Sequence, residues 1–309
     1  MKHYFIINPK AGKNERAIKL IPTIETICTQ NSLNYEIYLT KNMGDAFKFV
    51  TNICCNSTEQ IRFYACGGDG KVNEVASACV YQDNVSIGVI PLGSGNDFIK
   101  NFDNTESFKN IEAQILGTTR KIDAIKVNDY YSFNMCNVGF DAEVVHNAIQ
   151  FKKKPGISGA MAYLMSVFYT LSKKLGKEVT ISIDDGEEFQ ENVLLCAIGN
   201  GSWCGGMFNA LPIAKIDDEI MDVCLVKKLS RPRFLSILSS YQKGTHFKNE
   251  STKDVIFHYP CKKITIKSEN DIAIALDGEV VLVNTIQASI APNAINFIIP
   301  NQEINHLKT

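Results

Sequence analysis

Three short apolar runs in the first third of the chain each break, with nothing between, into a loop that carries glycine. Tyr4-Phe5-Ile6-Ile7 runs into Asn8-Pro9-Lys10-Ala11-Gly12-Lys13, and Ile61-Arg62-Phe63-Tyr64-Ala65 into Cys66-Gly67-Gly68-Asp69-Gly70. Ile87-Gly88-Val89-Ile90 runs into Pro91-Leu92-Gly93-Ser94-Gly95-Asn96-Asp97. Glycine reaches φ > 0 and lets backbone come close to a ligand, and the helix that follows such a loop starts with unpaired N–H donors. One loop of this kind is an ordinary turn. Three after successive strands constrain the chain to a parallel sheet whose loops gather at its carboxyl edge, where ligands bind.

The surrounding pattern agrees. Tyr35–Leu39 is a fourth run, and segments of helical period begin near Lys13, Asp45, Lys71 and Asn96. Strand alternating with helix predicts a parallel sheet covered on both faces. In the third helix Val72, Val75, Ala76, Cys79 and Val80 form one stripe of period 3.6; in the first, Pro22 is expected to bend or delay the helix. After about Lys121 the texture turns to β. Ile122–Val127 and Tyr130–Met135 flank a turn at Asn128-Asp129, and further runs lie at Val179–Ile183, Val193–Ile198, Met221–Val226, Ile264–Lys267, Ile272–Leu276 and Ile286–Ile290. Asp185-Gly186 and Asp277-Gly278 mark turns, and helices interrupt near Ala160–Lys173 and Pro232–Lys243. Many short strands with regular turns predict a sandwich or barrel.

Composition removes several function classes. A net charge of -1 over 309 residues provides no global field for nucleic acid, so a basic partner surface must be local. Ten cysteines occur without a CxxC pair or a Cys/His cluster of zinc-ligand spacing, which predicts reduced thiols in a cytoplasmic protein. The apolar run before Asn8 is too short for a secretory signal, and Ala160–Leu171 falls short of the roughly 20 residues that span a bilayer. A soluble protein, at most peripheral to a membrane, is expected. Neither GxxxxGK[ST] nor GxGxxG occurs, which disfavours Walker-type NTPases and dinucleotide oxidoreductases.

Gly67-Gly68-Asp69-Gly70 with Asn73-Glu74 resembles the nucleotide loop shared by diacylglycerol, sphingosine and NAD kinases and phosphofructokinases. Asn8 to Lys13 and Pro91 to Phe98 narrow the resemblance to the diacylglycerol kinase catalytic domain family, soluble bacterial lipid kinase type. It continues through Thr40 to Ala46, Asn137 to Ala142, Gly199-Asn200-Gly201, Leu211 to Asp218 and Leu276 to Glu279, nearly the whole chain. The resemblance implies a doubly wound parallel-sheet nucleotide-binding domain (1–121) and a β-sandwich lipid-substrate domain (122–299). The tail 300–309 would return to the first domain, and the active site would lie in the cleft between the two. It implies an ATP- and magnesium-dependent lipid kinase acting on a hydroxyl of diacylglycerol or a related membrane lipid. The nucleotide would meet Asn8, Pro9, Lys10, Ala11, Gly12, Thr40, Gly67, Gly68, Asp69, Gly70, Lys71, Val72, Asn73, Glu74 and Ser94. A structural magnesium would take Asp218 and the carbonyls of Lys215 and Ile220. A water-linked carboxylate relay would run through Asp69, Asp123 and Asp218, and the base that deprotonates the acceptor falls on Asp277 or Glu279. Lys71 stands where bacterial members usually carry Thr, Glu219 replaces a usual Gly in the metal loop, and Ser94 replaces Thr.

Read as residues alone, these positions keep plainer alternatives. Asp277-Gly278 is equally a hairpin turn, Asp69 a helix cap, Asp217-Asp218-Glu219 a solvated acidic turn, and Lys71 either a phosphate ligand or an exposed lysine. Lys152-Lys153-Lys154 and Lys173-Lys174-Lys177 flank the apolar helix 160–168, which is either membrane-facing with snorkelling lysines or core with solvated ends. The β-rich second domain offers a surface for a homodimer. Rival functions are a sphingoid-base or NAD kinase-like activity, or a nucleotide-binding regulator without turnover.

Overall fold

The computed structural model describes residues 1–12, 16–152, 154, 156–157 and 159–302. Lys13 and Lys153, and the tail beyond 302 that was expected to return to the first domain, lie outside the described residues. The chain divides into two compact units: Met1–Ala124 with the chain from Ala291 onward, and Ile125–Ile290.

The first unit is a parallel sheet. Its strands are β1 (Lys2–Ile7), β2 (Asn34–Leu39), β3 (Ile61–Gly67) and β4 (Val85–Pro91), joined by α1 (Arg16–Lys19), α2 (Ile21–Gln30), α3 (Asp45–Asn56) and α4 (Asp69–Ala78). Strand β1 lies between β2 and β3, β4 follows β3, and residues 291–299 extend the sheet beyond β4 through Asn296 opposite Ser86 and Phe297 opposite Ile87; every pairing is parallel. Period-2 alternation covers both faces. Phe5, Ile7, Tyr64 and Cys66 pack with Ile24 and Cys28 of α2; on the other face Tyr4 meets Phe63 and Phe49 of α3. Pro22 sits in the first turn of α2, where its missing N–H costs nothing, so the expected delay is a fresh helix start.

Two expectations of the pattern fail here. No helix begins at Asn96: its amide bonds both ways to Gly93, accepting from the N–H at 3.0 Å and donating to the carbonyl at 2.8 Å, and its φ is +48°. The chain then makes two 3₁₀ turns, Phe98–Asn101 and Thr105–Lys109, and a short α5 (Ile111–Ile115). These turns bring Phe98, Phe102 and Phe108 around the buried Phe297, a spacing no single helix face supplies. Helix α4 ends at Ala78, leaving Val80 beyond it.

The second unit is antiparallel. After β5 (Thr118–Val127), it comprises β6 (Tyr130–Ser132), β7 (Met135–Gly139), β8 (Lys177–Ile183), β9 (Phe189–Gly199), the two-residue pair β10 (Trp203–Cys204) and β11 (Phe208–Asn209), β12 (Met221–Lys227), β13 (Ile256–Cys261), β14 (Lys263–Leu276) and β15 (Glu279–Ile299). Strands β13, β12, β9, β7, β14 and β15 are neighbours in that order, and β8 pairs with both β9 and β14. Strand β9 uses 189–193 on β8 and 195–199 on β7; β14 likewise uses 264–267 on β8 and 274–276 on β7. The two strands thus pass from one layer of a sandwich to the other around a core of Ile125, Val138, Ile181, Ile198, Val223, Ile266 and Ile274. The expected runs at 264–267 and 272–276 are one strand interrupted by a register shift. Helices α6 (Phe140–Lys152), α7 (Gly159–Ser172) and α8 (Arg231–Gln242) pack on a second apolar cluster that includes Phe140, Leu195, Phe234 and Tyr241. Helix α6 escaped the pattern reading, although Phe140, Val144 and Ala148 form its buried stripe. All ten cysteines are free, and only Cys54 and Cys55 are not buried. Among the described residues no helix is long and apolar enough to cross a membrane.

Candidate functional site

In the first unit the loops after β1, β2, β3 and β4 all leave the carboxyl edge of the sheet, as the parallel pairing requires. Two of them interlock. The Leu92 N–H donates to the Gly67 carbonyl at 2.8 Å, and the Phe98 N–H donates to Asp69 Oδ1 at 3.1 Å. A Cβ on Gly93 would lie 2.6 Å from Gly68 Cα, and one on Gly68 3.2 Å from Gly93 Cα. Only bare backbone fits there. Asp69 is the first residue of α4; Gly68 stands at the N-cap and no side chain caps the helix, so Asp69 serves the Pro91–Phe98 loop instead.

The rest of the cradle is organised by short polar contacts. Asn8 Oδ1 accepts from the Lys10 N–H at 3.0 Å and the Asn8 carbonyl from the Ala11 N–H at 2.9 Å, so Pro9 and Lys10 form a side-chain-closed turn ending at Gly12, φ +78°. Thr40 is buried and hydrogen-bonds Ile7. Asp45 accepts from the Lys41 N–H at 2.8 Å and from the Tyr38 hydroxyl; the Lys41 N–H is the main reason its carboxyl sits below the usual range.

Lys71 is not the exposed lysine that one alternative allowed. Its side chain is 6% exposed, its ammonium is 3.0 Å from Glu74 Oε2, and the same oxygen accepts from the Ala46 N–H at 3.2 Å. Lys71 and Glu74 therefore tie α4 to the start of α3, beside the Thr40–Gly44 loop. The Lys71 and Val72 N–H groups both donate to the Gly68 carbonyl, and the Val72 side chain is core. Asn73 accepts from the Ser77 hydroxyl, and Ser94 is exposed on the loop crest. Asp123 is fully buried and accepts from the Asn293 N–H at 2.7 Å, anchoring the segment that returns to this sheet.

In the second unit Asp277-Gly278 joins β14 to β15 with both residues at positive φ, +46° and +94°, and Leu276 opposite Glu279. The hairpin alternative is therefore correct as structure: this is a type I′ turn. Asp277 does more than turn the chain. Its Oδ1 accepts from the Ser132 hydroxyl (2.8 Å), the Met135 N–H (2.9 Å) and the Asn134 N–H (3.2 Å), and its Oδ2 from the Phe133 N–H (2.8 Å). The donors exist because the run Tyr130–Met135 is not one strand: it breaks between β6 and β7, and the freed N–H groups converge on the carboxylate. Asn134 extends this network, donating to the Trp203 carbonyl and accepting from the Asn200 and Gly201 N–H groups. Glu279, two residues on, is exposed at the start of β15. Sequence reading missed Ser132, Phe133 and Asn134; the polar Ser-Phe-Asn interruption of an apolar run was the available signal.

The Leu211–Ile220 loop carries the expected cation ligands. Glu219 takes φ +61°, the conformation for which glycine is the usual choice, and the turn brings the Ile220 N–H to Asp218 Oδ1 at 3.2 Å. Lys215 and Asp218 are exposed. One carboxylate plus backbone carbonyls is a hard-oxygen donor set suited to magnesium, and the left-handed residue supplies the reversal that the replaced glycine would. Among the described residues no group of three His, Cys, Asp or Glu side chains forms a metal cluster.

Residues 2–127 match the family model of the diacylglycerol kinase catalytic domain, and residues 134–299 that of the YegS C-terminal NAD kinase beta sandwich-like domain. A diacylglycerol kinase of Staphylococcus epidermidis is 30% identical over 278 residues, covering 89% of this chain and 84% of the relative. One of Staphylococcus saprophyticus is 29% identical over 279 residues, covering 89% and 87%. Among solved structures, a diacylglycerol kinase from Bacillus anthracis aligns over 98% of both chains with TM-score 0.68 at 21% identity. An NAD kinase from Archaeoglobus fulgidus, in complex with ATP, aligns over 99% of this chain and 97% of its own with TM-score 0.53 at 11% identity. At such identities the two structures are likenesses of fold.

Proposed function

The chain belongs to the diacylglycerol kinase catalytic domain family and is a kinase, and from that premise we propose that it transfers phosphate from ATP to a hydroxyl of diacylglycerol or a related membrane lipid, with magnesium. The observation that carries the proposal is the Gly68–Gly93 contact, which leaves two loops of bare backbone at the start of a ten-residue helix. Such a cradle suits a polyphosphate, because oriented N–H groups and the helix dipole neutralise its charge.

Phosphoryl transfer asks the protein for positioning and charge neutralisation. In this assignment Asn8 to Gly12, Thr40, Gly67 to Gly70, Asn73 and Ser94 hold the nucleotide, with the Val72 side chain in the core behind them. Lys71 and Glu74 act through the Ala46 backbone as positioning residues. Asp218 and the carbonyls of Lys215 and Ile220 would hold magnesium, which supplies positive charge when bound. Asp69, Asp123 and Asp218 are the carboxylates through which the relay would run. For the base we assign Glu279 over Asp277. A carboxylate has about four lone-pair sites, and four donors already converge on Asp277. Glu279 is exposed on the same hairpin and close to its tip, and Asp277 holds that hairpin in place.

The test is thin-layer analysis after incubation with labelled ATP, magnesium and a panel of diacylglycerol, sphingoid base, monoacylglycerol and NAD. Label is expected in phosphatidic acid, dependent on magnesium. Label only in NADP, or ATP-dependent thermal stabilisation with no labelled product on any acceptor, would refute the lipid acceptor.

A further inference from the structure

Helix α3 meets α4 at both of its ends. Near its start the Ala46 N–H donates to Glu74 of α4. In its last turn Cys54 meets Cys79, the residue that closes α4. Ala46, Val50 and Cys54 recur every fourth residue, so they follow one another along the face of α3 turned to α4. Ala46 and Val50 are fully buried there, whereas Cys54 is partly open to solvent. Cys79 behind it is 1% exposed. One thiol of the pair is thus reachable from outside and the other is sealed against it. The chemistry of the two is unequal as well. Burial pushes up the thiols of Cys28, Cys66, Cys136, Cys196, Cys224 and Cys261, and a buried neutral thiol is inert. Cys54 moves the other way: the Cys79 S–H donates to its sulfur and holds it below the usual thiol range, against the opposing effect of its partial burial. Cys79 itself is kept protonated by burial and by the same contact.

We propose that Cys54 and Cys79 are a peroxide-responsive pair, in which Cys54 is oxidised first and Cys79 closes a reversible disulfide between α3 and α4. The Cys54 thiolate takes one oxygen from hydrogen peroxide as the O–O bond breaks, and the other oxygen leaves as hydroxide and picks up a proton to become water. The Cys79 sulfur then attacks the sulfenic sulfur. The S–S bond forms as the S–O bond breaks, and the hydroxyl departs with the Cys79 proton as a second water. Two thiols lose two electrons, and one peroxide is reduced to two waters. Cys55 does not compete as the partner: neighbouring Cα atoms are about 3.8 Å apart, below the roughly 4.4 Å at which disulfide spans begin, and adjacent side chains on a helix diverge by about 100°. The bond closes a loop that contains β3, the Gly67–Gly70 turn and α4, one wall of the cradle. It stabilises that loop by restricting the unfolded chain, and it removes the sulfenic acid before a second peroxide carries it to the irreversible sulfinic acid. Nothing in this chemistry depends on the phosphate acceptor.

The experiment treats the reduced full chain with graded hydrogen peroxide, alkylates the remaining thiols under denaturing conditions and maps the digest by mass spectrometry without reductant. Wild type is expected to give a peptide cross-linked through Cys54 and Cys79 while the other buried cysteines are recovered alkylated, and dithiothreitol is expected to reverse it. The oxidised chain is expected to melt about 5 °C above the reduced one. In Cys79→Ala, its fold checked by the thermal midpoint in reductant, Cys54 is expected to gain two oxygens, as sulfinic acid, at the dose that cross-links wild type. Cys54→Ser, at a partly exposed position, is expected to slow the loss of thiol to peroxide at least about tenfold, and Cys55→Ser to leave the cross-link in place. Wild type and Cys54→Ser decide the matter even if Cys79→Ala does not fold. A wild type whose Cys54 is recovered as sulfinic acid with Cys79 still reduced would overturn the proposal. So would a cross-link that runs through Cys55, to Cys54 or to a second chain, or a Cys54→Ser protein oxidised as fast as wild type.

Discussion

Replacing Asp277 by Asn tests whether this carboxylate holds the hairpin or takes the acceptor proton. The side chains are isosteric and Asn tolerates the left-handed φ of +46°, so the backbone is not disturbed. The donors are. Three converge on Oδ1 and one on Oδ2, and Ser132, Phe133, Asn134 and Met135 are all buried. With the Asn carbonyl in the Oδ1 position, its NH₂ faces the Phe133 N–H, donor against donor. One orphaned buried N–H costs about 1–3 kcal/mol, and weakening the remaining charge-assisted bonds to neutral ones adds about 1–2 kcal/mol. The expected loss is thus about 2–5 kcal/mol, read as a fall in the urea midpoint. Glu279→Gln, at an exposed position, is expected to keep stability within about 0.5 kcal/mol of wild type while kcat falls about 10²-fold or more. An Asp277→Asn protein as stable as wild type and deficient only in kcat would refute the division of roles.

Gly93→Ala would drive a methyl into the Gly68 Cα at 2.6 Å; we expect about 1–3 kcal/mol of destabilisation and a rise in the Kd for ATP of at least about tenfold, by calorimetry. Lys71→Met would strand the Glu74 carboxylate, which is only 12% exposed. The expected loss is about 3 kcal/mol with a raised KM for ATP, partly restored in Lys71→Met/Glu74→Gln. His3 is buried against the Tyr64 hydroxyl at 3.0 Å, and burial, with Arg62 nearby, lowers its pKa to about 4. The unfolded chain therefore takes up a proton that the folded one refuses, so this stability is intact above pH 6.5 and lost as pH falls towards 4. It amounts to about 2–3 kcal/mol, and His3→Gln should remove that part of the pH dependence of the urea midpoint.

The amino-acid sequence determined the parallel sheet, the loops at its carboxyl edge and the β character of the second unit. Each is written in neighbouring residues: a strand period of two, glycines immediately after it, a helix stripe beginning within a few positions. The hairpin at Asp277-Gly278 was legible for the same reason, whereas the positive φ of Glu219 is a turn that the family resemblance, not the local pattern, pointed to. The turns after Asn96 were lost because their apolar residues answer to a tertiary partner, as Phe98, Phe102 and Phe108 do to Phe297. The stripe of helix α6, by contrast, was present in the sequence as Phe140, Val144 and Ala148.

Only the tertiary structure decided which groups meet. Asp277 takes its donors from 142 to 145 positions away, and Asp123 its donor from 170 away. Lys71 and Glu74 pair one turn apart on α4, and it is the packing of α3 beside them, with the Ala46 N–H on the same carboxylate, that buries the pair. The chain from Ala291 joined the first unit's sheet, earlier than the boundary at 299 that the resemblance implied. Periodicity tells which side of an element turns inward. It carries no information about what waits there, because that partner is set by the closure of long loops and the packing of complete surfaces.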